Sequence, residues 1–180
     1  ATDPVVEFCE NKKIRLHGHP LTWGNQCWHM PEWLAEKLPP HLRALYPMKS
    51  KDGRDMERFF DAFTPEQLEE LLPEFTRELN HSMSNRILDI ALHYKGRIHS
   101  WDVVNESATD FGLGRMVPGS GICKSTYGLM PGDYTYRSFK IADGVFPKEV
   151  KLNINDYNLT DCYPAQVDDL LRRGCKIDIM

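Results

Sequence analysis

Apolar and polar positions along the chain follow two alternating patterns, one typical of helices and one typical of strands. Apolar residues at helical spacing predict helices over residues 4–11, from residue 65, from residue 73 up to Lys95-Gly96, over 133–143 and over 164–173. Short apolar, β-branched runs predict strands over residues 14–19, 97–104, 150–154 and 176–180. Strands joined by helices imply a parallel sheet whose functional loops gather at the carboxyl ends of its strands.

The helix that begins near residue 65 carries a start signal. Thr64 is predicted to be its N-cap, with Pro65 at the first helical position and Gln67 completing a capping box. Pro73 starts or kinks a second helix, which stops at Lys95-Gly96. The predicted apolar stripe of this second helix comprises Phe75, Leu79, Met83, Ile87, Leu88 and Leu92.

Two segments interrupt the alternation of helices and strands. In residues 35–63, Pro39, Pro40 and Pro47 separate short helical pieces, and we interpret the segment as an elaborated loop. Residues 110–132 are rich in glycine and proline and are interpreted as a second loop. This second loop contains no G-x-G-x-x-G sequence of the kind that binds phosphate.

The composition is that of one globular domain, with 180 residues, 41% of them apolar and 27% charged. A net charge of −4 disfavours nucleic acid as a partner. No apolar run approaches the roughly 20 residues that span a membrane, and the first residues lack the regions of a signal peptide, so the chain is either cytosolic or trimmed. The five cysteines form no C-x-x-C pair, which favours buried thiols over a zinc site or a disulfide framework.

Polar and aromatic residues follow the predicted strands at their carboxyl ends. They are His19 and Trp23 after the first strand, Asn105 and Glu106 after the second, and Asn155, Asp156 and Tyr157 after the third. Such a rim suits a polyhydroxylated substrate, because amides and imidazoles bind hydroxyls and aromatic rings stack on sugar faces. The rim offers few metal ligands, so no metal and no cofactor is predicted. A surface glutamate opening a loop would also explain Glu106, and core packing would explain the indoles of Trp23, Trp28 and Trp33.

Three motifs resemble strand signatures of family 10 glycoside hydrolases, the retaining endo-β-1,4-xylanases. They are residues 18–23 (GHPLTW), 101–106 (WDVVNE) and 154–158 (INDYN), which are similar to the third, fourth and fifth strands of that family. Residues 171–180 are similar to the family's run into the sixth strand. The resemblance implies a (β/α)8 TIM barrel. Since a closed barrel needs at least roughly 200 residues, residues 1–180 are interpreted as a partial barrel domain from the third strand to the start of the sixth.

The resemblance also implies a role for each rim residue. Glu106 would be the general acid/base in the hydrolysis of internal β-1,4-xylosidic bonds of xylan with retention of configuration. Asn105 would bind the 2-hydroxyl of the sugar at the cleavage point, and His19 and Trp23 would hold the same sugar. Tyr157 would line the side of the site that binds the leaving group. Asp156 would support the other site residues without contacting the sugar itself.

Three departures from the family pattern are apparent. Gly24 stands where the family usually has histidine, so one sugar contact is either missing or supplied by Asn25 or His29. The two amino-terminal strands, which bind the glycone in the family, are absent. The nucleophilic glutamate of the seventh strand would lie beyond Met180. The chain by itself is therefore expected not to hydrolyse xylan at a useful rate.

The resemblance implies a secreted or periplasmic enzyme of polysaccharide degradation that acts on xylan or xylo-oligosaccharide. The main alternative is a non-catalytic half-barrel or a xylan-binding fragment. Its exposed sheet edges would be covered by the missing barrel segments or by a second copy of the chain. A third hypothesis, an unrelated barrel hydrolase of another β-glucan, is disfavoured by the narrow WDVVNE motif.

Overall fold

The fold alternates helices with short strands, as the sequence predicts. A computed structural model describes residues 3–24, 31–43, 62–126 and 128–180. The helices of this part are α1 (Asp3–Asn11), α2 (Glu32–Ala35), α3 (Pro40–Arg43), α4 (Pro65–Leu71), α5 (Pro73–Tyr94), α6 (Ala108–Gly112), α7 (Tyr134–Val145) and α8 (Cys162–Arg172). The strands are β1 (His17–Gly18), β2 (Thr22–Trp23), β3 (Ser100–Asn105), β4 (Ile122–Ser125), β5 (Gly128–Pro131) and β6 (Lys151–Asn155).

Strand β3 is the centre of a parallel sheet. β1 and β2 both pair with one edge of β3, and β6 pairs in parallel with the other edge. Gly18 pairs with Trp101 and Thr22 with Val104, so an advance of four residues from β1 to β2 matches an advance of three residues along β3. β1 and β2 are therefore two pieces of one strand, interrupted by a bulge that contains His19. A parallel bridge between Asn153 and Ile179 begins the next strand, as predicted.

Helices pack on this sheet and bury its apolar residues. The main core contains Val103 and Val104 of β3, Leu152 and Ile154 of β6, and side chains from α5, α7 and α8. A second apolar cluster joins α2, α4 and the start of α5 to the strands β4 and β5. None of the helices in the described ranges is long and apolar enough to cross a membrane.

The predicted helix signals are confirmed at α4 and α5. The Thr64 hydroxyl accepts from the Gln67 N–H, and the Gln67 side chain accepts from the Thr64 N–H, which completes the capping box. Pro73 starts α5 instead of kinking it, and Lys95 ends the helix in the left-handed conformation with φ 46°.

The predicted apolar stripe of α5 is only partly correct. Phe75, Leu79, Met83 and Ile87 are buried, whereas Leu88 and Leu92 are 39% and 56% exposed. The buried positions are spaced four residues apart along one face of the helix. Leu88 lies one residue, or about 100°, around the axis from Ile87, and Leu92 lies on the same side as Leu88.

The interpretation of residues 110–132 as a plain loop is wrong. This segment contains the antiparallel pair β4–β5, in which Ile122 lies opposite Pro131 and Cys123 opposite Met130. The pair forms because Ile122, Cys123, Leu129 and Met130 are buried against the helices, a long-range effect that a short run rich in glycine and proline does not reveal. In the other predicted loop, 35–63, α3 is a short helical piece as expected, and residues 44–61 lie outside the described ranges.

Candidate active site

Strand pairing brings three of the predicted rim residues side by side. Trp23 pairs with Asn105, and Asn105 pairs with Asn155 on its other side. All three lie at the carboxyl ends of their parallel strands, the edge at which barrel enzymes place their chemistry. Asn105 is buried, whereas Trp23 and Asn155 are half-buried.

Glu106 is the next residue after β3 and has an unusual backbone conformation. Its φ of 56° lies in the left-handed region, which few residues other than glycine adopt. Its N–H donates to the Asn155 carbonyl at 3.0 Å, so the strand neighbour holds the turned backbone in place. Strain of this kind is concentrated at functional sites, where the surrounding structure maintains it.

The Glu106 carboxylate has a specific partner within the rim. The indole Nε1 of Trp23 donates a hydrogen bond to Glu106 Oε2 at 3.1 Å. Glu106 is half-buried, so the residue remains partly open to solvent at this edge of the sheet. The structure thus brings together two residues that lie far apart in the sequence.

The residues after Glu106 are fixed by β6 and α8. Ser107 and Gln166 form a buried hydrogen-bonded pair, with Gln166 Nε2 2.9 Å from the serine hydroxyl. The Ala108 N–H, at the start of α6, donates to Asp156 Oδ2 at 2.8 Å. The other oxygen of Asp156 accepts from the Asn158 N–H at 2.8 Å. Asp156 therefore binds the backbone that follows Glu106.

His19 is held by a residue that the sequence analysis did not select. Its Nδ1 lies 2.7 Å from Oδ2 of Asp102, a side chain on β3 that is 7% exposed. The Nε2 of His17 lies 3.0 Å from the same oxygen, and His17 Nδ1 lies 2.8 Å from the Ser100 hydroxyl. A carboxylate can only accept, so this contact needs a hydrogen on Nδ1 of His19, and in the neutral imidazole Nε2 is then an acceptor.

The sequence contained one indication of Asp102. It lies inside the predicted strand of residues 97–104, between Trp101 and Val103. Within residues 101–104 Asp102 is the one polar side chain, beside Trp101, Val103 and Val104, and buried polar groups need partners. The partner could not be inferred, since His17 and His19 lie more than 80 positions away.

The remaining predicted residues are placed in different ways. Tyr157 is 69% exposed, beyond the end of β6. Asn25 and His29 lie outside the described residues, so the contact that they were expected to supply remains a prediction. Trp101, by contrast, is a core residue, with ring centroids 5.9 Å from Tyr94 and 6.0 Å from Phe146.

No metal ligands gather at this edge within the described ranges. Across those residues, no three or more His, Cys, Asp or Glu side chains are placed to hold a metal ion. The chemistry that these side chains offer is that of a carboxylate, amides, imidazoles and an indole.

Comparison with known proteins identifies the family. The model of Glycosyl hydrolase family 10 matches residues 1–180. This chain belongs to Glycosyl hydrolase family 10. The family membership and the solved structures described below confirm the predicted partial (β/α)8 barrel.

Two curated relatives are longer than this chain. Endo-1,4-beta-xylanase A of Halalkalibacterium halodurans is 32% identical over 183 residues, covering 98% of this chain and 38% of that protein. Endo-1,4-beta-xylanase A of Xylanibacter ruminicola is 29% identical over 184 residues, with the same coverage of 98% and 38%. The chain therefore spans about two fifths of the length of these curated relatives.

Solved structures agree with this assignment. Xylanase B from Clostridium stercorarium F9 superposes with a TM-score of 0.62 at 26% identity, covering 99% of this chain and 46% of that one. The family 10 protein from Paenibacillus barcinonensis superposes with a TM-score of 0.56, also at 26% identity, covering 99% and 45%.

Replacing Asp102 should change the hydrogen position on His19. In Asp102→Ala the imidazole loses its acceptor at Nδ1, and we expect the hydrogen to move to Nε2. Long-range ¹H–¹⁵N spectra, which distinguish the two ring nitrogens, measure this directly. Asp161→Ala, an exposed aspartate before α8, is the control and should leave His19 unchanged. An Nδ1 hydrogen that persists in Asp102→Ala would show that Asp102 does not fix the ring.

Proposed function

We propose that this chain is the central part of an endo-1,4-β-xylanase that hydrolyses internal bonds of xylan with retention of configuration. The observation that carries the proposal is the Glu106 carboxylate. It stands at the end of the central strand and hydrogen-bonds the Trp23 indole, within a chain of Glycosyl hydrolase family 10. The two curated relatives compared above are both named endo-1,4-beta-xylanase.

Glu106 acts first as an acid and then as a base. In the first step, the bond between the anomeric carbon and the leaving oxygen breaks as Glu106 protonates that oxygen, and a nucleophilic carboxylate forms an ester with the sugar. In the second step, water attacks the ester, gives its proton to Glu106 and releases the nucleophile. Oε2 of Glu106 accepts a hydrogen bond from Trp23, so Oε1 is the oxygen that exchanges protons with the substrate.

The neighbouring side chains bind the sugar at the cleavage point. Asn105 binds its 2-hydroxyl, a contact that strengthens as the transition state develops positive charge. Nε2 of His19 accepts a hydrogen bond from a sugar hydroxyl, since Nδ1 already contacts Asp102. Trp23 packs against the ring of that sugar, and Asn25 supplies a further contact. Tyr157 lies on the leaving-group side, where its exposed phenol ring can stack on the next sugar.

Asp156 and the rest of the protein complete this proposal. Asp156 supports Glu106 by holding the backbone at Ala108. The nucleophile is a glutamate on a later strand of the whole protein, with its carboxyl about 5–5.5 Å from that of Glu106. The reaction needs no metal and no cofactor. The whole protein is secreted or periplasmic and acts in polysaccharide degradation.

The test is an assay of this chain extended to the full length of the family. Such a protein should release xylo-oligosaccharides from xylan, with much less activity on other β-glucans. NMR of the first product should show the β-anomer, because a double displacement retains configuration. An initial α-anomer would overturn retention, and hydrolysis of glucan in preference to xylan would overturn the assigned substrate. Binding of xylohexaose without any hydrolysis would favour a binding module.

A further inference from the structure

Asp110 is a buried carboxylate with no part in the proposed chemistry. It is 2% exposed, and both of its oxygens are engaged. Oδ1 accepts from the Thr126 N–H at 2.7 Å and the Thr126 hydroxyl at 2.6 Å, and lies 3.2 Å from Nη1 of Arg115. Oδ2 accepts from the Tyr134 hydroxyl at 3.0 Å. Burying a carboxylate costs free energy unless hydrogen bonds satisfy it. The groups that donate to Asp110 are therefore held firmly in place.

These partners connect three segments around the candidate active site. Asp110 lies on α6, which begins two residues after Glu106. Thr126 directly follows β4, and Tyr134 begins α7. Burial raises the pKa of Tyr134 well above its ordinary value, so its hydroxyl remains a donor to Asp110. Asp110 therefore fixes the β4–β5 pair against the helix that follows Glu106.

The β4–β5 pair has a second contact, with the chain next to Trp23. The Ser125 hydroxyl donates to the Gly24 carbonyl at 3.2 Å, and Ser125 is 1% exposed. The approach is close because position 24 is glycine. A Cβ there would lie 2.6 Å from the Ser125 oxygen and 3.4 Å from the Tyr134 hydroxyl oxygen. The strand pair thus occupies the space that a side chain at position 24 would need.

We propose that Asp110 is a positioning residue, which holds the β4–β5 pair so that Trp23 keeps its hydrogen bond to Glu106. One tether runs from Asp110 to Thr126, and the adjacent Ser125 carries the other to Gly24, the residue after Trp23. The strand end that carries Trp23 and the strand end that carries Glu106 are thereby linked through the β4–β5 pair. The catalytic value of this link rests on the proposed function, whereas the link itself can be measured without catalysis.

The experiment measures how fast the Trp23 indole hydrogen exchanges with water. In the ¹⁵N-labelled chain this signal, assigned with Trp23→Phe, is followed by magnetisation transfer from water. Asp110→Asn and Ser125→Ala should each raise its exchange rate at least about fivefold, because the neutral amide is a weaker acceptor for Thr126 and loses the acceptor for Tyr134, while alanine at position 125 removes the bond to Gly24. The indole of Trp101, buried in the core, is the internal reference and should not change.

Asp178→Asn is the matched control. Asp178 is also a carboxylate that binds backbone, accepting from the Leu152 N–H at 2.9 Å, but it lies near the start of β6, away from Glu106. Its variant should leave the Trp23 exchange rate unchanged. If Asp110→Asn lowers the unfolding temperature while the Trp23 rate stays at the parent value, Asp110 is purely structural and the proposal is overturned. If Asp110→Asn does not fold, the milder Ser125→Ala decides in the same way.

Glu106→Ala separates this proposal from the proposed function. Loss of the acceptor should accelerate Trp23 exchange in an otherwise unchanged chain. If it does so and the two tether variants do not, only the positioning role of Asp110 fails. If Glu106→Ala has no effect on Trp23, the hydrogen bond between them is absent, and the positioning role fails together with the site geometry used for the proposed function.

Discussion

Glu106→Ala is expected to lower xylan hydrolysis by about 10²–10⁴-fold when the chain is carried in a protein of full family length. Under the proposed mechanism the variant can no longer protonate the leaving oxygen or activate water, whereas the proposed nucleophile on a later strand is untouched. Steady-state rates on xylan, compared with the parent protein, measure the loss. The folded state should persist, since Glu106 is only half-buried and its backbone bond to Asn155 is retained.

The choice of substrate distinguishes acid catalysis from a general loss of the site. An aryl xyloside with a good leaving group needs little protonation, so Glu106→Ala should slow its first step far less than it slows xylan hydrolysis. Added azide should then accelerate turnover by attacking the covalent intermediate without base assistance. Glu149→Ala, an exposed glutamate before β6, should behave like the parent. Equal losses on both substrates would contradict an acid/base role for Glu106.

The position of Glu106 could be predicted because its signals are local. A β-branched run that breaks off at Asn-Glu marks the end of a strand, and its neighbours at Trp23 and Asn155 end parallel strands in the same way. The capping box at Thr64 and Gln67 is local in the same sense, since its two hydrogen bonds join residues only three positions apart.

The features that could not be predicted depend on contacts between distant residues. His19 and His17 meet at Asp102, and Ser125 meets Gly24, across separations of more than 80 positions. The β4–β5 pair likewise forms because the helices bury it. The apolar periodicity of α5 also did not predict which side chains are buried. Leu88, one position after the buried Ile87, still fits a broad apolar face.

Both kinds of feature converge on the backbone around Glu106. Its left-handed φ is maintained by Asn155 on one side, while the Ser107–Gln166 pair and Asp156 fix the residues that follow. A carboxylate placed by so many contacts loses little freedom when a substrate binds, which is the condition for effective general acid catalysis.

Gly18→Ala is expected to destabilise the fold by about 1–3 kcal/mol, because the position has no room for a methyl group. An added Cβ would lie 2.2–2.5 Å from three ring carbons of Trp101, its neighbour across the sheet. That ring cannot retreat, since Tyr94 and Phe146 pack against it. Urea unfolding of the chain measures the change in the free energy of unfolding.

The control for Gly18→Ala is Gly144→Ala, which places the same methyl group in α7 with no heavy atom within 4 Å. This variant should stabilise the chain by up to about 1 kcal/mol, because alanine favours a helix over glycine. Trp101→Leu should recover part of the loss in Gly18→Ala by making room, so the two substitutions should be coupled. The strain should also reach His19, the next residue, and weaken its contact with Asp102. If Gly18→Ala is as stable as the parent, the Trp101 ring does not lie against position 18, contrary to the pairing of β1 with β3.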